Sequence, residues 1–430
     1  MTGYPELSEE ERFPLLTANG RKLLYRMRQD SNAPIWNWPN GEQLNDSGLS
    51  RVNQFADALR QHAEAGSETL DEPSWIDDYV DYCLSEVPFY RRRGRRGLSL
   101  QEIPTCGRVD MAPCVWDFVP DSEPLDELIT FSSSGTTGHP TRTPHHPYSA
   151  ACGVPLMEQA VQKFCGVPFP RGSDSTVICN VAAYPGAYTT AIVVAYLQEA
   201  GCIRVNLDPS AWRKVEDREA YLNRWAAPIW LGDPVAFGAL EKLDIDYKPK
   251  AILSSIMHLS PGFAKRLSLK YECPVLDMYA MTEAGIIAVG NESGHRIIPH
   301  DLFVEVLDER ESRCATGVRG EIVLTGGRNP YLPLLRYRTG DFASLQIIDG
   351  HRALVGLEGR EPIEYPIPNG RIIHSMELTR LMRYYPVLQY EMKIVGENSY
   401  ELHVRGDIDR KALATDLSEL FNMSINIIYR

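Results

Sequence analysis

Residues 130–142 read Thr130-Phe-Ser-Ser-Ser-Gly-Thr-Thr-Gly-His-Pro-Thr-Arg142. Leu128 to Phe131 has the apolar and β-branched character of a strand that runs directly into a turn. Ser132, Ser133 and Ser134 then line up three hydroxyls, followed by Gly135, Thr136, Thr137 and Gly138. Glycines let the backbone approach an anion closely, and successive bare N–H groups form a concavity that suits one. Hydroxyls add donors for phosphate oxygens, and Pro140 stiffens the exit. A flexible linker would not be fed by a strand. The spacing lacks the Gly-Lys-Ser/Thr ending of a Walker loop, and it is not the Gly-x-Gly-x-x-Gly dinucleotide turn. The reading is a strand–loop that cradles phosphate.

Length and composition bound the rest of the chain. The chain has 430 residues, enough for about three ordinary units, and 43% of them are hydrophobic. A net charge of −13 argues against nucleic-acid or anionic-membrane binding. The acidic N-terminus has no basic start and no apolar core, so no signal peptide is expected. Nine cysteines without a Cys-x-x-Cys pair read as reduced thiols of a cytoplasmic protein. Residues 175–198 carry no charge, but Asn180, Pro185 and Gly186 interrupt them, so a membrane span is not expected.

Residues 1–74 read as a polar helical extension, interrupted by Ile35-Trp-Asn-Trp-Pro39. Apolar spacing at Trp75, Tyr79 and Tyr82 predicts a helix over 75–86. Five arginines between Arg91 and Arg96 are expected to form a solvated basic face. From 128 to 278 strands and helices alternate, with strands expected at 176–182, 202–206, 228–231, 251–254 and 274–279. Helices are expected at 188–200, 217–225, 234–243 and 261–269. That alternation predicts a parallel sheet covered by helices, with ligands at the carboxyl ends of its strands. From 301 to 357 short strands predict a β-rich subdomain. Residues 360–430 read as a small α+β tail: a strand, a helix over 375–384, a hairpin over 390–404, a helix over 409–421 and a last strand. His145-His146 has no third ligand at a metal-binding spacing and is expected to be exposed or loosely packed.

Three further stretches carry chemistry. In Asp277-Met-Tyr-Ala-Met-Thr-Glu-Ala284 a strand delivers an aromatic, a small residue, a hydroxyl and a carboxylate to one loop. Glu283 offers hard oxygens for Mg2+, and Tyr279 a flat face for a purine. In Tyr337-Arg-Thr-Gly-Asp341 the carboxylate suits two hydroxyl donors, with Arg336 and Arg338 basic beside it. Gly356-Leu-Glu-Gly-Arg360 lies where the large part of the chain gives way to the tail. Together with the Ser/Thr/Gly loop, these motifs resemble those of the adenylate-forming (AMP-binding) ligases. Val87-Pro-Phe-Tyr90, Ile103-Pro104 and Asp110-Met111 resemble the phenylacetate–CoA ligase-like branch.

The resemblance implies a large N-terminal domain, 1–358, and a small C-terminal lid, 359–430. It implies that Ser133 to Gly138, Tyr279, Ala280, Thr282, Asp341 and Arg360 bind ATP or AMP. Thr282, Glu283 and Arg360 would act in catalysis, with Glu283 holding Mg2+. Ser254-Ser-Ile-Met-His-Leu259 stands at the adenine segment, so Met257 and His258 are expected near the base. An acid pocket is expected at Tyr184, Pro185, Gly186, Tyr188 and Ala280, an aromatic turn suited to an aryl acid, and Gly370 at the thiol arm of coenzyme A. The implied reaction is ATP-dependent formation of an acyl-adenylate from a small, aromatic carboxylic acid, then transfer to a thiol. Coenzyme A is the first choice of acceptor, a carrier-protein thiol or an amine the second, and a non-catalytic nucleotide binder the third. A homodimer is compatible with this reading. Ala280 stands where the family has glycine, Glu361-Pro362 replaces its hinge aspartates, and its late lysine is missing before Arg430. Lys393 and Lys411 are expected on a strand edge and an exposed helix face.

Overall fold

Strands that are apolar on both faces have to be buried between two layers, and the chain supplies several between residues 176 and 281. In the computed structural model, which describes residues 7–64, 68–132, 142–184, 186–359, 364–368, 370–382, 384–396 and 399–430, they form the middle of a 13-stranded sheet.

The chain begins with helices α1 (Glu9–Arg12), α2 (Ala18–Arg28), α3 (Asp46–Glu64), α4 (Ile76–Glu86) and α5 (Pro88–Arg91). A two-residue strand, β1 (Cys106–Gly107), and α6 (Arg108–Met111) follow. Strand β2 (Ile129–Ser132) pairs antiparallel with β3 (Arg142–His145). Between them lie Ser133 to Gly138, outside the described residues. Then come α7 (Pro147–Ala151), α8 (Gly153–Cys165), β4 (Thr176–Ala182), β5 (Thr190–Val194), β6 (Ala200–Asn206), α9 (Asp217–Arg224) and β7 (Ile229–Gly232). They are followed by α10 (Pro234–Leu240), β8 (Ala251–Ser254), α11 (Pro261–Tyr271) and β9 (Val275–Met281). Six strands come next: β10 (Gly285–Asn291), β11 (Gly294–Ile297), β12 (Leu302–Leu307), β13 (Arg319–Gly326), β14 (Leu334–Ile348) and β15 (His351–Gly359). The tail contains β16 (Glu364–Pro366), β17 (Ile372–His374), α12 (Ser375–Met382), β18 (Val387–Gly396), β19 (Ser399–Gly406), α13 (Arg410–Phe421) and β20 (Asn426–Tyr429).

Strands β6, β4, β7, β8 and β9 run parallel in that order, with β5 antiparallel on the outer edge. Alternate residues feed two cores. Cys179, Val181, Ile203, Val205, Trp230 and Ile252 face α2, α9, α10 and α11. Ile178, Ile229, Ala251, Leu253, Leu276 and Met278 face α3 and α8. The expected β-rich stretch is present, and its strands continue the same sheet antiparallel beyond β9, over a third core shared with α4 and α5. Helices α10 and α11 start as their sequences dictate, each with proline at the first turn. Asp233 and Ser260 accept hydrogen bonds there from Ala236 N (2.7 Å) and Phe263 N (3.3 Å).

One expected element is wrong. Residues 188–200 are not a helix: they form β5, a single turn at Ala195–Leu197, and the start of β6. Thr190, Ile192, Val193 and Val194 are β-branched and lose side-chain freedom in a helix. On the sheet edge they pair residue by residue with Ala200–Arg204, and Gln198 and Glu199 take positive φ to close the connection. No helix among the described residues is long and apolar enough to cross a membrane.

The tail packs its own core, with Tyr365, Ile373, Leu378, Tyr400, Leu402, Leu413, Leu417 and Phe421 buried together. It rests on α11. Ser260 Oγ donates to the carbonyls of Tyr385 (3.0 Å) and Val387 (3.2 Å), and Arg266 pairs with Asp407 at 3.1 Å.

Candidate active site

The turn between β9 and β10 consists of Thr282, Glu283 and Ala284, closed by Gly285 at φ +70°. A carboxylate on a hairpin turn normally points to water, yet Glu283 is only 5% exposed. Its Oε1 accepts a hydrogen bond from the buried hydroxyl of Tyr337 at 3.2 Å. Burial, and then the Glu283 charge, push the Tyr337 phenol far above its ordinary value, so the hydroxyl stays protonated and remains the donor.

Tyr337 opens the Tyr-Arg-Thr-Gly-Asp stretch, which is part of the long strand β14 and not a turn between strands. Across from it, Glu321 pairs with Phe342 and Val323 with Arg338, so three residues of β14 face one of β13. Such a bulge re-aims side chains. Here it swings Thr339, Gly340 (φ +78°) and Asp341 out of that ladder. Thr339 Oγ1 fills the gap by donating to Ile322 O (2.9 Å) and accepting from Asp341 N (3.0 Å). The Asp341 carboxylate meets Tyr279, whose hydroxyl donates to Oδ2 at 2.8 Å. The two motifs are therefore tied crosswise. The tyrosine of each donates to the carboxylate of the other, which places Glu283 and Asp341 by the carboxyl end of β9.

The flanking arginines are not free for a polyphosphate. Arg336 is buried, at φ +45°, and donates to the carbonyls of Ile103 (2.7 Å) and Glu311 (3.1 Å). Arg338 donates to Glu321. They lock β14 to its neighbours. The arginines at 91–96 form the solvated face expected of them: Arg91 pairs with Asp121, Arg92 with Asp117 and Arg96 with Asp81.

The histidine pair is buried, contrary to expectation. His145 lies between Thr143 Oγ1 (3.0 Å from Nε2) and Asn329 Nδ2, against the Phe131 ring. Burial pushes it down to about 4. His146 Nδ1 accepts from Tyr148 N at the start of α7, and its Nε2 lies 2.7 Å from Glu127. Both clamp the base of the β2–β3 pair.

Among the other expected site residues, Ala280 is exposed beside the motif turn, and Met257 and exposed His258 follow the carboxyl end of β8. Tyr184 and Tyr188 follow β4, on the same edge of the sheet and three strands away, roughly 14 Å by strand spacing. Both are more than two-fifths exposed. The Arg204 guanidinium lies 3.9 Å from the Tyr188 ring centre, with Trp38 beyond the ring at 5.5 Å. Gly186 takes φ +79°. Gly370 occupies the turn between β16 and β17 at φ +81°, with open space around it. Pro185 and Arg360 lie outside the described residues. Lys393 pairs with Glu391 on β18, and Lys411 is exposed on α13, as expected.

The sequence reading missed a cleft of about 590 Å³ between α11, the β10–β11 hairpin and the tail. His258, Lys265, Asp277, His295, Leu357 and Tyr384 line it. Asp277 opens the stretch 277–284. Its partner His295, 3.0 Å away, is 18 residues distant in the chain.

No protein-family model matches the sequence, and no curated protein matches it. Solved structures do. A 2-hydroxyisobutyryl-CoA ligase in the postadenylation state, in complex with R3-HIB-AMP, superposes with a TM-score of 0.63. Identity is 15%, and the match covers 92% of each chain. The same ligase with 2-HIB-AMP gives 0.62 at 16% identity, over 83% of this chain and 84% of that one. With 2-HIB-AMP and CoA in the thioesterification state it gives 0.54 at 16% identity, over 92% and 93%. The chain has the fold of that ligase: a large mixed α/β body followed by a small C-terminal unit.

Proposed function

We propose that the protein activates a carboxylic acid with ATP and transfers the acyl group to a thiol. One observation supports this reading: the crosswise ties between Tyr279 and Asp341 and between Tyr337 and Glu283, by the carboxyl edge of the parallel strands. That is where open α/β sheets bind ligands. The shared fold supports it, since a ligase of that fold is known with acyl-AMP and CoA bound.

Asp341 would accept the ribose hydroxyls, sharing or displacing the Tyr279 hydroxyl. The Tyr279 ring, Met257 and His258 would border the base. Ser133 to Gly138 would wrap the phosphates, and Thr282 and Arg360 would donate to the α-phosphate as the acid's carboxylate attacks it. These groups act by position and charge.

Glu283 fits a Mg2+ ion. Mg2+ is commonly held by one or two carboxylates plus substrate phosphates, and among the described residues no cluster of three or more acidic, His or Cys ligands competes for it. The bound ion would neutralise phosphate charge. Tyr337 holds Glu283 in place from behind. Tyr184, Gly186 and Tyr188, with Ala280, suit a flat aryl acid, coenzyme A is the acceptor of choice, and the tail from residue 359 onward is the lid.

ATP–pyrophosphate exchange across a panel of aryl and short aliphatic acids tests the reading. Exchange should appear with at least one acid, highest among the aryl members. No exchange with any acid, by protein that is folded, overturns it.

A further inference from the structure

Asp277 on β9 and His295 on β11 are separated by a whole strand, because β10 runs between them. Their backbones are therefore about 10 Å apart. Gly290 on β10 is paired in register with both, so all three positions face the same side of the sheet. A Cβ at Gly290 would stand 2.0 Å from Gly294 O and 2.7 Å from His295 Cα. No side chain fits there, and the carboxylate and imidazole meet across the bare glycine at 3.0 Å. The Asp277 carboxylate accepts from Nε2–H, which leaves the lone pair on Nδ1. Among the described residues Nδ1 has no hydrogen-bond partner, and His295 lines the cleft.

The cleft is lined by residues two positions along their strands from the crosswise ties. Asp277 precedes Tyr279 by two residues on the same face of β9, one step of about 7 Å. Leu357 lines the cleft, and two residues later Gly359 pairs with Asp341. The far wall is Tyr384 of the tail, 84% exposed. The volume is that of a site for a small organic group.

Resting on the proposed function, we infer that this cleft receives the acceptor thiol and that His295, oriented by Asp277, is the base that deprotonates it. The thiol proton moves to Nδ1 as sulfur attacks the acyl carbonyl. A C–S bond forms, the bond from the carbonyl carbon to the phosphate oxygen breaks, AMP leaves, and the imidazolium returns its proton to solvent. Asp277 is the positioning residue: it selects the tautomer and stabilises the imidazolium. The other charged groups facing the cleft are Lys265, His258 and Glu292, all on its exposed rim.

The test compares two acceptors after adenylation of the acid by ATP: coenzyme A, whose thiol must lose a proton, and hydroxylamine, which is an uncharged nucleophile at neutral pH. General-base assistance is worth roughly 10²–10⁴-fold. In His295→Ala the ratio of thioester to hydroxamate should therefore fall by about 10²-fold or more, and free imidazole should restore part of it. Asp277→Asn should lower the same ratio with the backbone tie kept. A ratio unchanged in both variants, or thioester and hydroxamate lost in step without imidazole rescue, overturns the inference and leaves the dyad a strap between strands. Wild-type protein that forms no hydroxamate from any acid would instead overturn the proposed function, and the role of His295 with it.

Discussion

Tyr279 and Asp341 are hydrogen-bonded to each other across two strands of the chain. A ribose that takes Asp341 shares the carboxylate with, or displaces, a neutral phenol held in its protonated form by burial and by Asp341 itself. Removing the carboxylate should therefore weaken that contact, and removing the phenol should not. Asp341→Ala should weaken ATP binding by about 1–3 kcal/mol in calorimetry. Tyr279→Phe keeps the flat ring and frees the carboxylate, so it should bind ATP at least as tightly as wild type. Equal losses in both would refute the ribose assignment. Glu283→Gln keeps an oxygen for Tyr337 to donate to, so its melting temperature should match wild type. Loss of the charge should still lower turnover by about 10²–10³-fold. A Glu283→Gln protein with normal turnover and a reduced melting temperature would make the residue structural. Glu283 and Asp341 could be singled out in the sequence because each stands in a short stretch, 277–284 and 337–341, that resembles a known family motif. The contacts of the two tyrosines that hold them could not, since Glu283 and Tyr337 stand 54 positions apart and Tyr279 and Asp341 62.

Among the elements, α11 carries the most obligations. Its first turn caps itself with Ser260, ties the tail through the same hydroxyl, and offers Gly262 where a Cβ would stand 2.9 Å from the Tyr385 carbonyl and 3.2 Å from Pro386 N. Gly262→Ala should push β18 off the helix. Amide exchange should rise at Tyr385–Gly396 while protection in β7, β8 and β9 is unchanged. Slowed exchange, or no change, at β18 would show that this contact does not seat the tail. Element identity was readable wherever two cues agreed. Asp233-Pro234 and Ser260-Pro261 announced their helices, and the run Ala251–Ser254 announced a buried strand. Residues 190–194 carried conflicting cues, a long uncharged apolar run against β-branched side chains, and edge pairing with β6 decided for the strand. The Asp277–His295 contact was unreadable for a related reason. Nothing in a linear sequence says that Gly290 will stand between them.

Acid tests the molecule as a whole. His145 is refused its proton in the folded state until about pH 4, against 6.5 in the unfolded chain. Below pH 6.5 the unfolded chain takes up a proton that the folded one does not, so this ring's contribution to stability falls as pH drops from 6.5 towards 4, then levels off. The size is roughly 3 kcal/mol for a fully expressed difference. Urea midpoints measured from pH 7 to 4.5 should decline more steeply in wild type than in His145→Asn. Parallel slopes would mean that the ring is hydrated in solution and that the β2–β3 base is open.

The tail has a core of its own, and that core contains tyrosine and phenylalanine but no indole. All seven tryptophans lie between Trp36 and Trp230. Excited at the red edge of the absorption band, the body alone should emit, and the tail should be silent. Emission from tryptophan and ellipticity in the far ultraviolet then sample different parts of one chain. If the tail melts first, ellipticity should begin to fall at a temperature where the emission maximum has not moved. If the contacts along α11 bind the two into one cooperative unit, both curves should coincide. A single label-free heating experiment thus reads out how tightly the tail is coupled to the body.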